Sequence, residues 1–362
     1  MYTKKMKSSV FTIILIIGLL FANNVRAEGL SVTLLKKWVN YQITIHSAKN
    51  VTYSGPIYHI FFHSLIVYPE RAYGDKSVSQ GYKDWMITRD EFQRILPELY
   101  KNNFVLIDIK SLYSVRSDGT VIKKSLYLPK GKKPLILSID DLSYYKTLVG
   151  HGFADKLVLD ANGNVATEIV TTNGRKEITR DGDIVPILDD FVAAHPDFSV
   201  HGAKGIIAVT GYEGILGYRT NSESATRLKD IEAVKPVVEK LTSTGWRFAS
   251  HSYSHAQVYS EGTVSLQKVI DDANRWDAEV RPLVGGTDIF IGPFGQIFKK
   301  GDPRREYLNN HGFHVFCGVG MDKYFEYSAT ELIMNRADID GYRLSHPSHY
   351  LKEYFDATKI MY

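Results

Sequence analysis

The chain has 362 residues, 44% hydrophobic and 23% charged, with a single cysteine and a formal net charge of +4. That length suits one large α/β barrel or two ordinary domains. A lone Cys317 excludes an intramolecular disulfide framework and a thiolate metal cluster, so any bound metal must rest on histidine and carboxylate.

Lys4, Lys5 and Lys7 precede an apolar run from Val10 to Phe21, and Val25 and Ala27 supply small residues at the −3 and −1 positions. This pattern predicts a secretory signal peptide over 1–27, cleaved after Ala27, and an exported, soluble mature chain. The alternative is an uncleaved anchor, for which the run is short. The segment also explains the charge: it holds four of the 44 basic residues and no acid, and the remaining 40 balance the 40 acidic ones. A neutral mature chain offers no electrostatic reason to expect nucleic acid or an anionic membrane as partner. No other stretch approaches transmembrane length. The oligomeric state is not encoded in any pattern of this sequence.

Residues 28–54 lack periodicity and read as an extension or linker, leaving 55–362 as the folded region. Tyr58–Phe62 reads as a buried strand. Thr88 and Glu91 form a capping box ahead of a helical stripe of Phe92, Ile95, Leu96 and Leu99. Strands follow at Phe104–Ile107 and Leu135–Ile139. Helical stripes run through Ile184 to Phe191, Leu228 to Leu241 and Ile270 to Val280, and Asp302-Pro303 is a helix start. Between them lie apolar runs at Ile206–Val209, Trp246–Ala249, Ile289–Ile291 and Phe313–Cys317. Seven strands alternating with helices over about 300 residues predict a parallel α/β barrel.

One segment breaks the alternation. Turn sequences at Asp160 to Asn164, Asn173-Gly174 and Asp181-Gly182 separate β-prone runs, predicting a hairpin or small meander inserted at about 151–220. The glycine- and tyrosine-rich stretch Gly211 to Thr220 reads as a loop, either surface decoration or a wall of an active-site groove.

Three stretches carry chemistry. Ser138-Ile139-Asp140-Asp141 ends a buried strand in adjacent carboxylates, an arrangement that is costly without a cation. His251-Ser252-Tyr253-Ser254-His255 places two imidazoles four apart after a strand, and a helical turn there would aim both at one ion. Ser252 stands where a peptidase helix would carry glutamate. Asp141, His251 and His255 as ligands would leave a coordination position for water. Ile291-Gly292-Pro293-Phe294-Gly295 follows a third strand and could aim backbone N–H groups at the same rim, the C-terminal end where parallel barrels place their chemistry.

In this order, over roughly residues 56–345, the three stretches resemble the motifs of the metal-dependent polysaccharide deacetylase family (carbohydrate esterase type). Asp140-Asp141 resembles its Thr-Phe-Asp-Asp-Gly, the histidine pair its His-(Ser/Thr)-x-x-His, and Pro293-Phe294-Gly295 its Pro-(Tyr/Phe)-Gly loop. The resemblance implies a distorted (β/α)7-type barrel with the insertion noted above. It also implies hydrolysis of N-acetyl, less often O-acetyl, groups on a polysaccharide or oligosaccharide. By it, Asp140 is the general base, Asp141, His251 and His255 hold one divalent ion, usually Zn2+, and the Pro293-Phe294 turn offers an oxyanion N–H. Four features depart from the family pattern. Ile291 or Gly292 stands where many members carry an arginine bracing the base. Leu142 replaces a glycine. Roughly 110 residues separate Asp141 from His251. No late histidine clearly supplies the general acid, leaving His63, His346 and His349 as candidates. The reading is therefore an exported N-deacetylase of a cell-envelope or extracellular N-acetylhexosamine polymer. The alternatives are a catalytically impaired carbohydrate-binding relative and an O-acetyl esterase.

Overall fold

Residues 50–361 are described by the computed structural model, and the expected signal peptide lies outside them. Short runs of β-branched and aromatic residues, buried along nearly their whole length, form seven parallel strands: β1 Tyr58–Phe62, β2 Lys133–Ile139, β3 Ile206–Val209, β4 Arg247–Ser250, β5 Ile289–Ile291, β6 Val315–Val319 and β7 Leu332–Asp338. Continuous burial of this kind is the mark of strands covered on both faces. β1 pairs with β2 from Tyr58 opposite Leu135 to Phe62 opposite Ile139. Each later strand pairs with the next, and β7 returns to β1 with Ala337 opposite Ile60. The sheet is a closed (β/α)7-type barrel, as the sequence predicts.

Its membership differs from the prediction at one strand. Phe104–Leu106 pairs with the lower end of β2 and stays outside the ring, while β7, which the sequence reading passed over, closes it. Asn335 and Arg336 interrupt the apolar run of β7.

The helices follow their stripes. α1 Arg89–Lys101 has the Thr88–Glu91 capping box and buries Phe92, Ile95, Leu96 and Leu99. α2 Ile184–Ala194 is capped by Asp183, α3 spans Arg227–Ser243, α4 Leu266–Glu279 is capped by Ser265, and α5 Pro303–Asn310 by Asp302. Side-chain alternation sends successive residues of a strand to opposite faces of the sheet. On β2, Leu135, Leu137 and Ile139 pack outward among the helices, while Ile136 points inward with Ala208, Ile291 and Cys317.

The insertion is a three-stranded antiparallel meander over Ala154–Leu159, Val165–Val170 and Lys176–Thr179. It is shorter than the predicted 151–220, because α2 and β3, which lie inside those bounds, belong to the barrel. Within the predicted linker, Asn50–Thr52 pairs with Tyr127–Pro129. No helix among the described residues is long and apolar enough to cross a membrane.

Candidate metal centre and active site

The C-terminal ends of β1, β2, β4, β5 and β7 deliver the candidate residues to one rim. Asp141 follows β2, His251 follows β4, and His255 lies four residues on; their ligand atoms are all within 4.8 Å of one another. Asp141 Oδ2 is 3.9 Å from His251 Nε2 and 3.7 Å from His255 Nε2. Two imidazole nitrogens and one carboxylate oxygen converging in this way form a donor set that fits a divalent ion of the zinc type.

The histidines do not ride on a helical turn as their spacing predicts. Residues 251–256 are an irregular bend, in which Ser252 (φ 56°) and His255 (φ 46°) adopt left-handed conformations and Ser252 Oγ accepts from the His255 N–H at 3.1 Å. Asp141 (φ 57°) and Phe294 (φ 55°) share that conformation. Each costs roughly 1–2 kcal/mol relative to the right-handed region. Four such residues at one rim show a backbone held in place by its surroundings.

Those surroundings orient the donors. His251 Nδ1 donates to the Ile291 carbonyl at 2.8 Å, which leaves Nε2 facing Asp141. Burial keeps the His251 imidazole below its usual range, in the neutral form a ligand needs. Tyr145 donates to Asp141 Oδ1 at 2.5 Å, so Oδ2 is the oxygen turned toward the histidines. Tyr145 also meets Thr210 Oγ1 at 2.9 Å and stacks on Tyr212, with ring centroids 5.0 Å apart. The Gly211 and Tyr212 N–H groups both donate to the Tyr253 carbonyl. The loop that sequence left as decoration or groove wall therefore forms a wall of the site. Gly211 is required there, since a Cβ would lie 2.3 Å from the Tyr253 ring.

Asp140 is fully enclosed beside this cluster and gripped by a residue that sequence reasoning missed. Arg336, on β7 with no solvent exposure, donates from Nη1 to Asp140 Oδ1 at 2.6 Å and from Nη2 to Oδ2 at 2.8 Å. Burial alone would raise the Asp140 carboxyl, but Arg336 and then His251 outweigh it and hold the group at about 2. Arg336 thus braces Asp140 from a strand that none of the three stretches includes. Its signal was the inward alternation of Leu332, Met334 and Arg336.

His63, just past β1, lies near enough to interact electrostatically with both Asp140 and Asp141. Its Nδ1 meets the Trp85 carbonyl at 3.1 Å, leaving Nε2 as the free ring nitrogen. His346 and His349 are exposed on the C-terminal segment, the first stacked on Tyr342 and the second tilted against Tyr350. Pro293, Phe294 and Gly295 form a tight turn after β5, and the Phe294 ring packs on His255 at 4.3 Å between centroids. The Gly295 and Gln296 N–H groups are consumed inside that turn.

No family model and no curated protein matches the chain. Solved structures similar to it include the Streptococcus pyogenes deacetylase PplD in complex with acetate, at 13% identity over 81% of this chain and 98% of that one, with a TM-score of 0.44. IcaB from Ammonifex degensii is 13% identical over 85% and 97%, with a TM-score of 0.44. A de-N-acetylase from Aggregatibacter actinomycetemcomitans is 12% identical over 83% and 100%, with a TM-score of 0.48.

Proposed function

We propose that this chain is an exported, metal-dependent hydrolase that removes N-acetyl groups from an N-acetylhexosamine-containing polysaccharide. The observation that carries the reading is the adjacency of Asp140, clamped and ionised by Arg336, to the Asp141–His251–His255 donor set. A divalent ion held by those three residues would supply Lewis acidity for the acetyl carbonyl and make water a nucleophile at neutral pH.

The chain's own residues then have separable tasks. Asp140 stays ionised at any working pH and accepts the proton of the attacking water at a carboxylate oxygen; the Arg336 clamp fixes the direction of that oxygen. His63 Nε2, on the same rim, protonates the departing sugar nitrogen, with Nδ1 steadied by the Trp85 carbonyl. The Phe294 N–H is the oxyanion donor, carried on a backbone already turned into a left-handed conformation. Exposed rings at Trp85, Tyr212 and Phe294 surround the rim and suit the apolar faces of pyranose units.

Arg336 also weighs against an impaired carbohydrate-binding relative, since the brace whose absence suggested impairment is present from β7. Acetate release from N-acetylglucosamine oligomers by the full chain, supplied in turn with Zn2+, Co2+ and Mn2+, tests the reading. Release abolished by Asp140→Asn supports it; glycan binding without release under every metal would overturn it.

A further inference from the structure

Beneath Asp140 the barrel interior is not apolar. His59 on β1, Ser138 on β2 and Arg336 on β7 are all buried there, and the hydrolytic steps above use neither His59 nor Ser138. Arg336 Nη1 donates to Ser138 Oγ at 3.1 Å as well as to Asp140. Ser138 Oγ is also 3.1 Å from His59 Nε2, and His59 Nδ1 is 3.1 Å from Met334 Sδ.

The chemistry of the two ends sets the direction of this chain. Arginine can only donate, so Ser138 Oγ accepts at that contact and has its own hydrogen left to give. A thioether can only accept, so the hydrogen of His59 lies on Nδ1. A neutral His59 then presents a bare Nε2 to the Ser138 hydroxyl. Burial, and next the Arg336 charge, keep His59 well below its ordinary range, consistent with that neutral form. The donations run one way, from Arg336 through Ser138 to His59 and on to Met334, with no group used twice against its capacity.

We propose that His59 and Ser138 are positioning residues, a buried hydrogen-bond chain that sets the rotation of the Arg336 guanidinium and through it the aim of Asp140. This deepens, and rests on, the reading of Asp140 as the base. The Nε of Arg336 reaches the Gly318 carbonyl at 3.2 Å, and its carbon lies 4.2 Å from the centre of the Phe61 ring. Those two contacts hold the guanidinium plane from one edge and one face; Ser138 holds it from below the carboxylate.

The test has two arms, both on the full chain. In the first, histidine is labelled with 15N and His59→Leu identifies the His59 signals among the 12 histidines. A proton on Nδ1 and none on Nε2, between about pH 5 and 8, is expected. A proton on Nε2, or an imidazolium across that range, overturns the chain. In the second arm, Ser138→Ala and His59→Leu each lower kcat about tenfold, with KM and bound metal unchanged. His59→Gln, whose amide oxygen still accepts, restores most of the rate. Wild-type kcat in the first two variants, or no restoration by glutamine, overturns the positioning role. A wild-type chain that releases no acetate defeats the deacetylase reading by itself, while the His59 tautomer still decides whether the chain of hydrogen bonds exists.

Discussion

At the residue scale, the pairing of Arg336 with Asp140 dominates the energetics of the site. Two charges this deeply buried are stable only while they face each other, so removing one strands the other. Arg336→Met should cost about 3–5 kcal/mol in stability, read as a lowered melting temperature, and acetate release should be lost with it. The carboxylate is depressed in the folded chain, so its contribution to stability is present above the ordinary aspartate range and is lost as pH falls through about 2. Wild type should therefore lose stability more steeply than Asp140→Asn between about pH 4 and 2, as acid titration followed by circular dichroism would show. Tyr145→Phe frees Asp141 Oδ1 and should weaken metal affinity by roughly 10- to 100-fold, measured by competition with a chromophoric chelator. Asp140, Asp141 and His251 were legible in the sequence because they directly follow strands and strand ends share a rim, and His255 was found by its spacing of four from His251. Arg336 and Tyr145 were not. Their partners lie 196 and 4 residues away, and neither separation reveals a contact until the barrel closes.

At the scale of elements, the helices and the short strands were both legible, and what local pattern left open was which strands close the ring. α1 and α4 carry apolar stripes several turns long, whereas β5 has three residues and pairs with β4 at a single position. No local run records which strand closes a ring, so Phe104–Leu106 was counted in the barrel while the seven-residue β7, interrupted by Asn335 and Arg336, was passed over. The His251–His255 segment shows a related limit. Spacing of four suggested a helical turn, but a Ser252–His255 bend with two left-handed residues brings the rings together by another route. The short helix Ser79–Trp85 ends in a ring that is 59% exposed beside His63. Trp85→Ala should raise KM for N-acetylglucosamine oligomers several-fold, with little change in melting temperature, because the ring covers no core.

For the molecule as a whole, the apolar core and the candidate metal centre are separable. The apolar clusters packed on the faces of the strands include none of Asp141, His251 and His255. Chelation should therefore abolish acetate release while shifting the melting temperature only by the binding term, about 3 kcal/mol at a hundredfold excess of metal over its dissociation constant. Export is tested separately: the secreted protein should begin at Glu28, as N-terminal sequencing would show. By itself, the sequence determined the class of fold, the helices and the Asp141, His251 and His255 group that the rim brings together, because these depend on local periodicity and on which residues follow strand ends. Tertiary structure alone decided which seven strands close the barrel and which arginine braces Asp140. It also placed His63, rather than His346 or His349, beside the carboxylates. These are matters of closure, in which β7 meets β1 across most of the chain, and no local pattern records that meeting.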